Sequence, residues 1–139
     1  MSEDGRFSIV QRVRFADLDA MNHLNHAQAL RFFESARIEW IAEVLPEATP
    51  GSKSGFGFIL AEVHAAFKSQ ASFREEIRIW VWPGELRRSS MRLDFELRSE
   101  DDERLVSEGW CVLVGFDWAD ERPRPLPEFV RERIEPLLG

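Results

Sequence analysis

The chain is poor in thiols, in lysine and in long apolar runs. Cys111 is its single cysteine, so neither an internal disulfide nor a cysteine-based zinc cluster can form. No stretch approaches the ~18 consecutive apolar residues of a membrane-spanning helix. The amino-terminal MSEDGRF lacks a basic segment followed by an apolar one. A soluble, cytoplasmic protein is the expectation. Among 18 cationic residues only Lys53 and Lys68 are lysines; the rest are arginines. Guanidinium forks suit carboxylate and phosphate. A local anion site is therefore compatible with the formal charge of −7, whereas a broad nucleic-acid-binding face is not. Also missing are a Gly-x-Ser-x-Gly elbow, a glycine-rich phosphate loop and a dinucleotide fingerprint.

What is present describes one domain, residues 1–139, whose 44% hydrophobic and 12% aromatic content exclude disorder and supply a core. Phe7, Ile9, Val13 and Phe15 alternate with polar residues and predict a first strand. Leu30, Phe33, Arg37, Trp40, Ile41 and Val44 then recur at helical steps, with Arg37 the one polar intruder. Asn25 followed by Gln28 resembles a capping box, which starts this long helix near His26; Pro46 ends it. From residue 58 the pattern turns strand-like. FILAEVHAAF suits a buried strand, EEIRIWVW and MRLDFELR alternate strictly, and LVSEGWCVLVGF returns after an SEDDE turn. The last three strands have short connections and should pair antiparallel. A short helix starts near Pro127. The order strand-helix-strand-strand-strand-strand predicts an α+β design, a long helix packed on a curved antiparallel β-sheet. One helix covers only one face, so the other face, with Trp80 and Trp82 on it, is a candidate for burial by a second subunit.

The chemistry-bearing residues crowd together just before the helix. Asp17, Asp19, His23, Asn25 and His26 lie within one short polar run. A carboxylate near a helix amino terminus can activate water or attack a carbonyl, while free N–H groups take up oxyanion charge. That combination meets the needs of acyl-group hydrolysis. Strand parity is the same for both aspartates and does not choose between them. The histidines could cap, orient substrate or act as acid and base. Asp17, Asp19, His23 and His26 also have the right residue types for a metal, but no second cluster supplies further ligands. Cys111, in an apolar strand, reads as a packed thiol. Ser89 and Ser90 follow Arg87 and Arg88 at a strand start, where ordinary turn polarity and a phosphate or pantetheine contact are both open.

The run V-R-F-A-D-L-D-A-M-N-H-L-N-H-A, continuing into L-R-F-F-E-S-A-R, resembles the hotdog-fold acyl-CoA thioesterases of the 4-hydroxybenzoyl-CoA thioesterase type. The similarity continues through F-K-S-Q-A-S-F-R-E-E-I, R-R-S-S-M-R-L-D-F-E and the final P-L-P, covering residues 7 to 130. The resemblance implies a hotdog fold, a homodimer or homotetramer with active sites at subunit interfaces, and thioester hydrolysis without metal or redox cofactor. It puts the catalytic carboxylate at the second aspartate, Asp19, with His23, Asn25 and His26 positioning substrate or water. It also makes Arg87, Arg88 and Ser90 candidate contacts for the phosphates or pantetheine arm of coenzyme A. The sequence departs from the pattern at Ala29, where tyrosine is common in a family that this tyrosine-free chain resembles, and at Gln70, Arg74, Glu75 and Arg87. Those departures motivate an alternative, a non-catalytic hotdog module that binds acyl-CoA or acyl carrier protein; a hotdog dehydratase or hydratase fits the D-x-D and H-x-N run less well.

Overall fold

The computed structural model describes residues 6–138. Strand β1 (Phe7–Arg12) leads through a turn of 3-10 helix (Phe15–Asp17) to the long helix α1 (His26–Val44). Four long strands follow: β2 (Phe56–Phe67), β3 (Glu76–Leu86), β4 (Ser90–Ser99) and β5 (Leu105–Asp117). A two-residue strand β6 (Arg122–Pro123) and helix α2 (Glu128–Ile134) complete the order. The sheet runs β1-β3-β4-β5-β2, all neighbours antiparallel, with β6 added to β5.

Alternation builds the core in β3 and β4. Ile77, Ile79 and Val81 of β3 and Met91, Leu93, Phe95 and Leu97 of β4 point under α1 and are buried. Each such side chain contributes about 1.5–3 kcal/mol of hydrophobic stabilisation. Helix α1 answers with Ala29, Phe32, Phe33, Ala36, Trp40 and Ile41, and the Phe33 ring stacks on Phe95 at 4.1 Å. The two alanines let the helix approach the sheet closely, so the buried stripe is displaced from the expected one. Leu30 and Val44 are only partly buried.

Three local expectations are corrected. Strand β1 stops at Arg12, and Phe15 is 78% exposed in the 3-10 turn rather than on the core face. Helix α1 does begin at His26 with Asn25 as cap, but the cap oxygen accepts from Ala27 N–H. The Asn25 amide is already donated to the Asp17 carbonyl at 2.9 Å, which leaves no donor for a reciprocal bond from Gln28. Finally, β2 is largely exposed, not buried. It is an edge strand paired only to β5, and on its inner side Leu60, Val63 and Phe67 each stay more than a third exposed.

Candidate active site

The segment between β1 and α1 is folded into a tight hairpin-like turn. Leu18 pairs with Leu24, and the Asp19 N–H donates to the His23 carbonyl at 2.9 Å. Asn22 sits at φ +64, a left-handed conformation that asparagine tolerates better than most side chains. The turn is anchored outward as well. Leu24 N–H donates to Ala71 O at 2.8 Å, and His23 bridges to Ser72. Residues 69–75 are in turn held by Arg104, which donates to Ser69 Oγ, Gln70 O and a Glu75 carboxylate oxygen.

The two aspartates have opposite environments. Asp17 is fully buried, and both its oxygens accept from Arg14, one from the backbone N–H at 2.8 Å and the other from the guanidinium at 3.0 Å. Burial pushes its carboxyl up, but the Arg14 bonds outweigh that and hold it below the usual carboxylate range. Asp19 lines a cavity of about 100 Å³ together with His23, His26, Met21, Ala29, Phe67 and Gln70. Its Oδ1 accepts from Met21 N–H at 2.8 Å and His23 N–H at 3.2 Å. Those backbone bonds, from His23 first and then Met21, lower its pKa. Among the described residues Oδ2 accepts no hydrogen bond.

The His26 ring lies flat on Phe67, 3.8 Å between centroids and 6° between planes. This stacking fixes the imidazole at the cavity wall, at the first residue of α1. Asn25 caps the helix and does not line the cavity. The first-turn N–H groups of His26 and Gln28 have no partner among the described bonds, as expected of helix starts. Ala29 also lines the cavity. Met21 and Phe67 were not marked by sequence reasoning; neither residue carries a spacing signal that would identify it.

Arg87, Arg88 and Ser90 lie elsewhere. Asp19 shares its cavity with Val106, near the start of β5, which pairs with the end of β4, whereas Ser90 begins β4. At ~3.3 Å per residue that separates them by most of a strand, on the order of 25–30 Å. Arg87 pairs with Glu85 at 3.0 Å, and the Arg87 and Arg88 carbonyls accept from Arg131 at 2.7 and 3.1 Å. Ser90 lines a separate cavity of about 170 Å³ beside Arg87, Arg92 and Trp110. One chain therefore assembles Asp19, His23 and His26 but not the three candidate carrier contacts.

The Cys111 thiol is pushed up to about 11 by burial and is a packed core group. His64 stacks on Trp110 at 3.9 Å, on the outer sheet face. Among the described residues no group of three or more His, Cys, Asp or Glu side chains is arranged to hold a metal ion. Asp17 is turned to Arg14 and is lost to such a set.

Residues 13–134 match the model of the Thioesterase-like superfamily. The chain belongs to this family. It is a thioester hydrolase with the hotdog fold, a curled antiparallel sheet with one long helix packed on it. No curated protein sequence matches it. Among solved structures it is similar to a Thermus thermophilus thioesterase complexed with coenzyme A and Zn, with 30% identity, TM-score 0.78, and 94% of this chain and 92% of that one covered. A thioesterase superfamily protein from Jannaschia sp. CCS1 has 26% identity and TM-score 0.84, over 94% of this chain and 82% of the other. A Staphylococcus aureus protein solved in complex with CoA shares the fold at 17% identity, TM-score 0.85, with 95% and 83% covered.

Proposed function

We propose that this thioesterase acts on acyl-CoA and that Asp19 is its catalytic carboxylate. The observation that carries the reading is the state of Asp19, one oxygen pinned by two backbone N–H groups and the other open in a cavity shared with His23 and His26. As general base, Asp19 takes a proton from water while the hydroxide adds to the thioester carbonyl. As nucleophile, it adds to that carbonyl itself, and water then hydrolyses the anhydride. In both routes the free first-turn N–H groups of α1 receive the oxyanion. In the first the departing thiolate takes the proton held by Asp19; in the second it leaves as thiolate and is protonated by the water that then splits the anhydride. His26, held by Phe67, and His23 orient the thioester, and Asn25 fixes the turn by capping the helix. Coenzyme A as carrier draws support from the CoA complex of the Thermus relative; acyl carrier protein is the competing carrier.

The site is completed by a second copy. Strand β2 is an exposed edge, and antiparallel pairing of two β2 strands about a two-fold axis sets the Phe56 end of one against the Phe67 end of the other. The Ser90 end of one subunit then approaches the Asp19 end of its partner, which gives Arg87, Arg88 and Ser90 a route to the carrier. The test is a panel of acyl-CoA and acyl carrier protein thioesters followed by free-thiol release, with Asp19→Ala as control. Hydrolysis abolished in Asp19→Ala supports the assignment. Full activity in that variant would sink Asp19's role, and no hydrolysis of any CoA ester would sink the choice of carrier.

A further inference from the structure

The largest departure from an apolar helix face is Arg37, and its surroundings give it a use. It lines a cavity of about 420 Å³ between the second half of α1, the loop before β2, and β2 itself. The walls there are chiefly apolar, with Ile38, Ile41, Phe58, Leu60 and Trp118 among them. The guanidinium lies 5.8 Å from the Phe33 ring centroid and close enough to the core thiol of Cys111 to act on it electrostatically. Several arginines elsewhere in the fold have a carboxylate partner, Arg14 with Asp17, Arg104 with Glu75 and Arg133 with Glu47, whereas Arg124, like Arg37, has a ring contact instead. Arg37 has no carboxylate within ion-pairing distance and donates no hydrogen bond among the described residues.

A guanidinium drawn partly out of water without a counterion is costly, and a ligand anion offsets that cost. The two hydroxyls lining the same cavity are committed as donors, Thr49 to Pro46 O at 2.7 Å and Ser52 to Glu47 O. Among the described residues Arg37 is thus the one cationic side chain lining the cavity, with the Trp118 indole N–H as a neutral donor beside it. Its distance from the chemistry is also suitable. Helix α1 rises about 16 Å from His26 to Arg37, about three turns on and on the same side of the helix, a separation on the scale of an extended acyl chain plus the arginine side chain.

Building on the thioesterase reading above, we infer that Arg37 binds an anionic group at the far end of the acyl chain and selects ω-carboxyacyl thioesters. The test compares kcat/KM for suberoyl-CoA and octanoyl-CoA, which have equal chain length and differ in terminal charge, in the wild type, Arg37→Met and Arg37→Lys. A charge-assisted hydrogen bond predicts a wild-type preference for suberoyl-CoA of about ten- to a hundred-fold. That ratio should collapse in Arg37→Met and recover in part in Arg37→Lys. Because Arg37→Met could fail to fold, its melting curve is taken first, and a shift of the ratio in Arg37→Lys then decides. Equal turnover of both esters by the wild type, or a ratio indifferent to Arg37, overturns this inference and leaves the thioesterase reading standing. No hydrolysis of either ester overturns this inference alone, and the wider thioester panel then decides the acyl-CoA reading.

Discussion

At the scale of single residues, two aspartates two positions apart are given different work by their hydrogen bonds. Asp19 is held ionised by the His23 and Met21 N–H groups, and the proposed chemistry needs the ionised form. Protonation at low pH removes it, and a lowered pKa moves that loss to lower pH. The acid limb of log kcat/KM should therefore lie below the ordinary aspartate value of about 3.9. Asp19→Asn should remove the limb and lower kcat by roughly 10²- to 10⁴-fold, as read by free-thiol release across pH. Asp17 behaves as a structural carboxylate. Its folded pKa is also depressed, so its stabilisation is present above the unfolded carboxylate value and disappears as pH falls through the folded one. Asp17→Ala should cost about 1–3 kcal/mol in urea unfolding at neutral pH, and the difference from wild type should shrink in acid. Strand parity could not separate the two residues, because β1 ends at Arg12 and the chain turns before either is reached.

At the scale of elements, spacing predicts α1, β3, β4, β5 and α2 well because each has a strong period or a clear cap. The helix starts at His26 as Asn25 implies, and Pro127 precedes α2. Strand β2 is the exception. Its apolar run predicts burial, yet half-buried and edge positions carry the same residues when a surface awaits a partner. The β2–β5 pairing also depends on Gly109, opposite Ala65, where an added Cβ would overlap the His64 carbonyl oxygen of the neighbouring backbone. Backbone cannot swing aside as a side chain does. Gly109→Ala should destabilise the fold by about 1–3 kcal/mol or more, read as a lower urea midpoint, and should weaken whatever β2 supports.

At the scale of the whole molecule, the placement of groups at opposite ends of the sheet is the strongest argument for assembly. Leu60, Val63 and Phe67 are 41%, 37% and 39% exposed along the inner side of one edge strand. A continuous apolar stripe beside unpaired strand hydrogen bonds is unstable in water and a template for pairing. Sedimentation should give a dimer or a multiple of it for the wild type. Val63→Lys should yield monomers and lower kcat/KM at least tenfold, roughly the effect of disordering one wall of a site. A monomeric wild type with full activity would refute a shared site.

Periodicity, the Asn25 cap and the D-x-D and H-x-N run were enough to specify a helix on an antiparallel sheet and to locate the polar cluster before it. These are local signals, written within a few residues of one another. Folding alone decided which aspartate is buried against Arg14, that His26 is clamped by Phe67, that β2 is an open edge, and that Arg37 meets a large cavity without a counterion. The last three depend on contacts between segments distant in the chain, and the Arg14–Asp17 pair, though only three residues apart, depends on a 3-10 turn that strand periodicity does not encode.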